Sequence, residues 1–234
     1  MKISLWTSHA QRKTALIVAL GLPIAVVACL VSIQWIDLPV ATWIHTRGLD
    51  THSWMLVFLS VPVVIGPVAG LFLLAYVIRR FWKAPGTWER LAFVLSTSLL
   101  ASIAVKDMLK RMFGRTWPRD VSDPGPAVLA NCPPPSLGYI NDGIHSFHFF
   151  GGNSKPFLAF PSGSTVMLLA IVVPLCVAFP RVRIPLIVFT VFSLFCFVLT
   201  NTHFVADVIA GVYVGGVIGL IASGALPARI SQCD

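Results

Sequence analysis

Charge is scarce in this chain, and the scarcity excludes a great deal. Only 11% of the residues are Asp, Glu, Lys or Arg, against 56% hydrophobic, and the mean hydropathy is +0.84. That ratio belongs to an integral membrane protein rather than a soluble domain. Carboxylates are rarer still, 9 against 17 cations, for a net charge of +8. The cations are too few and too scattered among apolar runs to form a nucleic-acid surface. None of the five cysteines (Cys29, Cys132, Cys176, Cys196, Cys233) has a CxxC or CxxH spacing. Neither a disulfide framework nor a zinc site is expected. There is no internal repeat, low-complexity tract or long linker, so residues 1–234 read as a single domain. No ionisable residue suggests a relay across a bilayer midplane, which argues against a transporter or channel.

What is abundant is apolar sequence in blocks of bilayer length. Six spans are expected: Thr14–Trp35, Ser53–Ile78, Arg90–Leu109, Ser162–Phe179, Ile184–Thr200 and Asp207–Leu226. Prolines and glycines inside them are tolerated in membrane helices. Gly211, Gly215 and Gly219 recur every fourth residue and predict a close-packing face. The fold class is therefore all-α, a polytopic six-transmembrane-helix bundle. Val26-Val27-Ala28-Cys29 has the look of a lipoprotein cleavage site, but the apolar run continues through it to Trp35.

Lys and Arg set the orientation. With the amino terminus inside, ten of the 17 fall on the inner side and seven on the outer side: Arg47, Lys106, Lys110, Arg111, Arg115, Arg119 and Lys155. All but Arg47 of that outer set lie between Lys106 and Lys155. A cationic cluster on the disfavoured side calls for a reason, and an anionic ligand at the outer face supplies one.

Three stretches carry candidate chemistry. After the third span comes Lys110-Arg111-Met112-Phe113-Gly114-Arg115-Thr116-Trp117-Pro118-Arg119. Arginine forks and a lysine point charge suit phosphate oxygens, whereas a basic helix end alone would be unremarkable on the inner face. A polar stretch, 119–160, is long enough to be a lid or binding loop. Its His145 and His148 make only a His-x-x-His without a third ligand, so the aromatic run around them is expected to lie at the membrane interface. Phe160-Pro161-Ser162-Gly163-Ser164-Thr165 opens the fourth span. Taken alone it is a serine-capped helix start; beside the basic stretch it becomes an anion cradle. Finally, His203 and Asp207 are four apart, the spacing of one helix face. There a carboxylate can hold one imidazole nitrogen and leave the other free as nucleophile or base. The bland alternative is a buried histidine tied to a carboxylate for structure.

In this order the three blocks resemble the type 2 phosphatidic acid phosphatase superfamily, in particular a bacterial branch of its membrane lipid phosphatases. The family blocks read Lys-x6-Arg-Pro, Pro-Ser-Gly-His and Ser-Arg-x5-His-x3-Asp. The resemblance covers about Lys106 to Gly215. It implies that His203 attacks phosphorus to form a phosphohistidine and that Asp207 orients it. Lys110 would bind phosphate, with Ser162 and Gly163 adding hydroxyl and amide contacts. Ser164, Arg115 and Arg119 complete the candidate phosphate-binding set. No metal or other cofactor is implied. The resemblance also implies a bacterial inner membrane with the site facing the periplasm, and a lipid phosphate as partner.

Three positions depart from the family. Trp117 stands where an arginine precedes proline, leaving Arg115 or Arg119 to supply that charge. Cys196-Phe197 stands in place of Ser-Arg. Ser164 replaces the histidine that protonates the leaving group. General-acid help is worth about 10²–10⁴ in rate, roughly 3–5 kcal/mol. It matters greatly for a lipid alkoxide and much less for phosphate leaving from a pyrophosphate. Ser164 thus implies a pyrophosphate substrate, a substitute acid such as His145 or His148, or a weak enzyme. The expected activity is that of a metal-independent phosphatase or phosphotransferase acting on a lipid-linked phosphate or pyrophosphate. The alternative is a non-catalytic lipid-phosphate binding protein on the same fold.

Overall fold

Long apolar runs with no partner strand can satisfy their backbone only within themselves, and the chain does so as helices. The computed structural model describes residues 4–119, 138–150 and 155–226. Eight α-helices form among them: α1 (Ser4–Val31), α2 (Asp37–Thr46), α3 (Leu56–Arg80), α4 (Thr87–Phe113), α5 (Tyr139–Asp142), α6 (Gly163–Ala178), α7 (Arg183–Leu199) and α8 (Val205–Ser223). A π-helical turn, Ser32–Ile36, joins α1 to α2, so residues 14–46 run on as one apolar rod. Among the described residues the only β-type pairing is a single bridge between Arg115 and Phe147.

Each expected span falls on a helix. Among the described residues, four stretches are long and apolar enough to cross a membrane: Thr14–Thr46, Thr87–Phe113, Pro180–Leu199 and Val205–Ser223. α6 is apolar but shorter, at 16 residues, about 24 Å at 1.5 Å per residue. Much of the outer surface is apolar. Leu16, Leu20, Ile24, Leu71, Ile184 and Phe195 are all exposed, as befits side chains that face acyl chains rather than water.

The centre of the bundle is the α6–α8 pair, and the glycine stripe explains it. A Cβ on Gly211 would lie 2.9 Å from the Ser162 carbonyl oxygen, one on Gly215 2.4 Å from that of Val166, and one on Gly219 2.8 Å from that of Leu169. Only glycine admits that approach of two backbones. α4 joins α6 through the Ser98 hydroxyl, which donates to the Ala170 carbonyl at 2.6 Å. α1 lies on α8, with the Tyr213 hydroxyl donating to the Val18 carbonyl at 3.1 Å. Cys29 is buried inside continuous helix, its thiol against the Ala206 carbonyl. Cys132 and Cys233 lie outside the described residues.

Candidate functional site

The residues singled out by sequence meet at one end of the bundle, where α4 ends, α6 and α8 begin, and α2 starts. Three carry-on effects of local chemistry put them there. Gly114 ends α4 in the left-handed region (φ +55°), and a Cβ there would lie 2.1 Å from the His148 carbonyl oxygen. The chain therefore turns sharply and pairs with the loop: His148 N–H donates to the Gly114 carbonyl at 2.8 Å, and Thr116 N–H to that of Ser146 at 3.1 Å. Ser162 caps α6, its hydroxyl accepting from the Thr165 N–H at 3.4 Å and the Thr165 hydroxyl at 2.8 Å. The Ser162 N–H donates to the Asp207 carbonyl at 2.9 Å, stapling the start of α6 to α8.

His203 and Asp207 do not share a helix face. α8 starts at Val205, and His203 sits in the turn before it. The cause is Asp207 itself: its Oδ2 accepts the Phe204 N–H at 2.9 Å, a capping contact that fixes where the helix begins. His203 Nδ1 stands 3.7 Å from the same Oδ2, beyond hydrogen-bond reach, and has no partner though buried. Burial depresses the His203 pKa and the Lys110 ammonium adds to this, against an opposite pull from Asp207. That shift favours the neutral imidazole.

Lys110 and Gly163 lie against each other: a Cβ on Gly163 would be 3.3 Å from Lys110 Cε and 2.9 Å from Lys106 Cδ. The buried Lys110 ammonium donates to the Leu158 carbonyl and lies 4.9 Å from the centre of the Trp117 ring. The other side of the picture is His203, whose ring centre is 5.2 Å from that of Trp117. One indole thus touches both the candidate nucleophile and the candidate phosphate cation. Ser164, in the first turn of α6, is buried.

Arg115 is wholly buried, at 0% exposure. Its Nη1 donates to Asp207 Oδ1 at 2.6 Å and its Nη2 to Asp37 Oδ2 at 2.5 Å. The same Nη2 lies 2.8 Å from His145 Nε2, and the rings of Phe204 and Phe147 flank the guanidinium. Both terminal nitrogens are engaged inside the protein. Sequence reasoning missed Asp37, which also accepts from the Ser32 hydroxyl at 2.7 Å and the Ala206 N–H at 3.0 Å. Its only signal was a carboxylate at the end of an apolar span.

The two loop histidines are tied up differently. An arginine can only donate, so His145 Nε2 accepts from Arg115 and the ring is neutral; burial and the Arg115 charge both depress its pKa. His148 pairs with the Ser146 hydroxyl at 3.0 Å and packs edge-on against Phe157. The aromatic run is divided: Phe147 packs inward on Phe160, while Phe149 and Phe150 are exposed. Residues 120–137 and 151–154 of the expected lid lie outside the described set. Arg119 sits at the rim, its N–H donating to the Asn201 carbonyl at 3.1 Å and its Nη1 3.5 Å from Asp50 Oδ2. Among the described residues no group of three or more His, Cys, Asp or Glu is placed to hold a metal.

The sequence matches the family model of the PAP2 superfamily over residues 91–231. It is similar to a protein named lipid A 1-phosphatase from Rhizobium etli, with 26% identity over 176 residues, covering 75% of this chain and 66% of that protein. The aligned part is thus just under two thirds of that relative's length. No solved structure matches the chain.

Proposed function

The chain belongs to the PAP2 superfamily, and from that premise we propose that it is a membrane phosphatase acting on a lipid-linked phosphate. The observation that carries the reading is convergence. Lys110 from α4, the Ser162–Gly163 start of α6 and His203 before α8 come together around Trp117. A cation, a helix amino terminus and a neutral imidazole are the parts needed to hold a phosphoryl group and attack it.

In this proposal His203 attacks phosphorus, and the leaving oxygen departs as the phosphohistidine forms. Water then cleaves that intermediate. Lys110, the first-turn amides of α6 and the Ser164 hydroxyl stabilise the charge on the equatorial oxygens. Asp207 supports the imidazolium character that develops on His203. Arg115 takes no phosphate contact; it holds Asp207 in place from behind, with Asp37 as its second anchor. The lipid tail stays in the apolar body of the bundle, and the site faces the outer leaflet of a bacterial inner membrane. The name of the Rhizobium etli relative supports a glycolipid phosphate as the first substrate to try, and Ser164 supports a pyrophosphate lipid as the second.

The experiment is phosphate release by purified protein on a panel of lipid A, phosphatidic acid and a polyprenyl pyrophosphate, with His203→Ala as control. Loss of release on His203→Ala, at least about 10³-fold for a deleted nucleophile, supports the reading; full release by that variant ends it. A second reading, lipid-phosphate binding without turnover, is favoured by the seating of Trp117 between Lys110 and His203. Ser164→His separates the two: activity appearing only in that variant marks the native chain as a binder.

A further inference from the structure

The reading above leaves Lys106 without a task, yet it stands at the candidate site. It lies four residues before Lys110, on the same face of α4. Both side chains pack on the first residue of α6. A Cβ on Gly163 would be 2.9 Å from Lys106 Cδ and 3.5 Å from its Cε, and 3.3 Å from Lys110 Cε. The Lys106 side chain is only 17% exposed. Two like charges at this spacing repel each other, and burial strengthens the repulsion. An anion held between them removes that cost. The carboxylate at hand is a poor one. Lys106 Nζ pairs with Asp107 Oδ1 at 2.5 Å, but the Asp107 side chain is 46% exposed. Consecutive residues do not face each other on a helix, and an ion pair open to water contributes little. Asp107 is thus a counter-ion that a better-placed anion displaces.

The two lysines differ in depth. Four residues of helix set Lys106 about 6 Å further than Lys110 from the end of α4 at Phe113, and so deeper in the bundle. A lipid whose tail lies in the apolar body, and whose terminal phosphate meets Lys110 and His203, presents its next group to Lys106. The chemistry asks for a charged group there. None of the candidate acids is placed to protonate a leaving oxygen. Ser164 has only a hydroxyl, His145 Nε2 accepts from Arg115, and His148 Nε2 is paired with the Ser146 hydroxyl. This site is suited to a leaving group that needs a countercharge rather than a proton.

We propose that Lys106 is a leaving-group residue: its ammonium holds the inner phosphate of a lipid diphosphate while Lys110 and the start of α6 hold the outer one. This rests on the phosphatase reading above. In the first step a His203 nitrogen bonds to the outer phosphorus, and the bond from that phosphorus to the bridging oxygen breaks. The electron pair stays on the bridging oxygen. The lipid monophosphate departs with no proton transferred, and Lys106 meets the charge its phosphate has gained. In the second step water attacks the phosphohistidine, the phosphorus–nitrogen bond breaks, and the released phosphate carries both water hydrogens. Asp107 takes the Lys106 ammonium back as the product leaves.

The test reads substrate preference in the full-length protein, as the ratio of kcat/KM on a polyprenyl diphosphate to that on the monophosphate with the same tail. Lys106→Gln is expected to lower the ratio about tenfold or more, the worth of a charge-assisted hydrogen bond. Lys106→Arg keeps the charge and should recover most of the loss. Asp107→Asn removes the competing counter-ion and should lower KM for the diphosphate by about two- to fivefold. Binding is read separately in the His203→Ala background, where no turnover intervenes. There the diphosphate lipid should raise the unfolding temperature more than the monophosphate does, and Lys106→Gln should erase the difference. Losses of equal size on the two lipids, or equal stabilisation by them with Lys106 in place, overturn the proposal and leave the His203 chemistry standing. Turnover that survives His203→Ala instead overturns the phosphatase reading beneath it.

Discussion

Replacing Arg115 by methionine should be among the most damaging single changes available to this protein. The side chain is removed from contact with two fully buried carboxylates, Asp37 and Asp207, and with His145. Breaking a buried ion pair by deleting one partner costs about 3–5 kcal/mol, because the surviving charge is left uncompensated. Here two charges survive, so the upper end of that range is expected. Methionine fills much of the volume between Phe147 and Phe204, so little of the loss is a cavity effect. The charge argument makes a sharper claim about the double variant. Asp37→Leu in the Arg115→Met background removes one stranded carboxylate and should recover about 1–3 kcal/mol relative to Arg115→Met alone. Reversible unfolding in mixed micelles, following tryptophan fluorescence, reads both numbers. The reasoning is refuted if Arg115→Met lies within about 1 kcal/mol of the parent, or if the double variant is less stable than Arg115→Met.

Two further expectations follow from the packing and the site electrostatics. Gly215→Ala should destabilise by about 1–3 kcal/mol, since its Cβ would meet the Val166 carbonyl oxygen at 2.4 Å, whereas Gly216→Ala next door meets nothing within 4 Å and should be neutral; matched thermal unfolding of the two variants decides it. In the pH profile, the depressed His203 pKa means the nucleophile stays neutral as pH falls through the ordinary histidine range. The acid limb of kcat/KM should therefore fall below the ordinary histidine value of 6.5, and a limb at or above that value would contradict the burial argument.

Much of the architecture was legible because hydrophobic blocks and small-residue periods are local signals. All six apolar blocks became helices, and the four-residue glycine period read correctly as a contact face. The site was legible as a set of parts but not as an arrangement. His203 and Asp207 were visible at helical spacing, yet the capping bond from Phe204 to Asp207 starts the helix after His203. Which of the two it would be depends on a carboxylate having another donor to satisfy. Arg115 looked like a phosphate ligand because it sits in a basic run, and nothing local shows that Asp37 faces it. Asp50 and Asn201 were silent for the same reason: each is an ordinary polar residue until another segment, about 150 residues away in sequence, supplies its partner. Long-range pairing of single polar residues has no period to detect.

The span of the Arg115 contacts has a consequence for how the molecule is made. Arg115 reaches back 78 residues to Asp37 and forward 92 to Asp207. Synthesis proceeds from the amino terminus, so Asp37, inside the apolar rod of residues 14–46, is made well before its countercharge emerges. Arg115 then waits, half-neutralised, until α8 arrives. Contacts of such sequence separation form late, and this one cannot form at all in a chain halted before Asp207. The cluster therefore acts as a completeness check. An unfinished chain keeps a charge that is costly to bury, whereas in the finished one Arg115 ties the start of α2 to the first turn of α8.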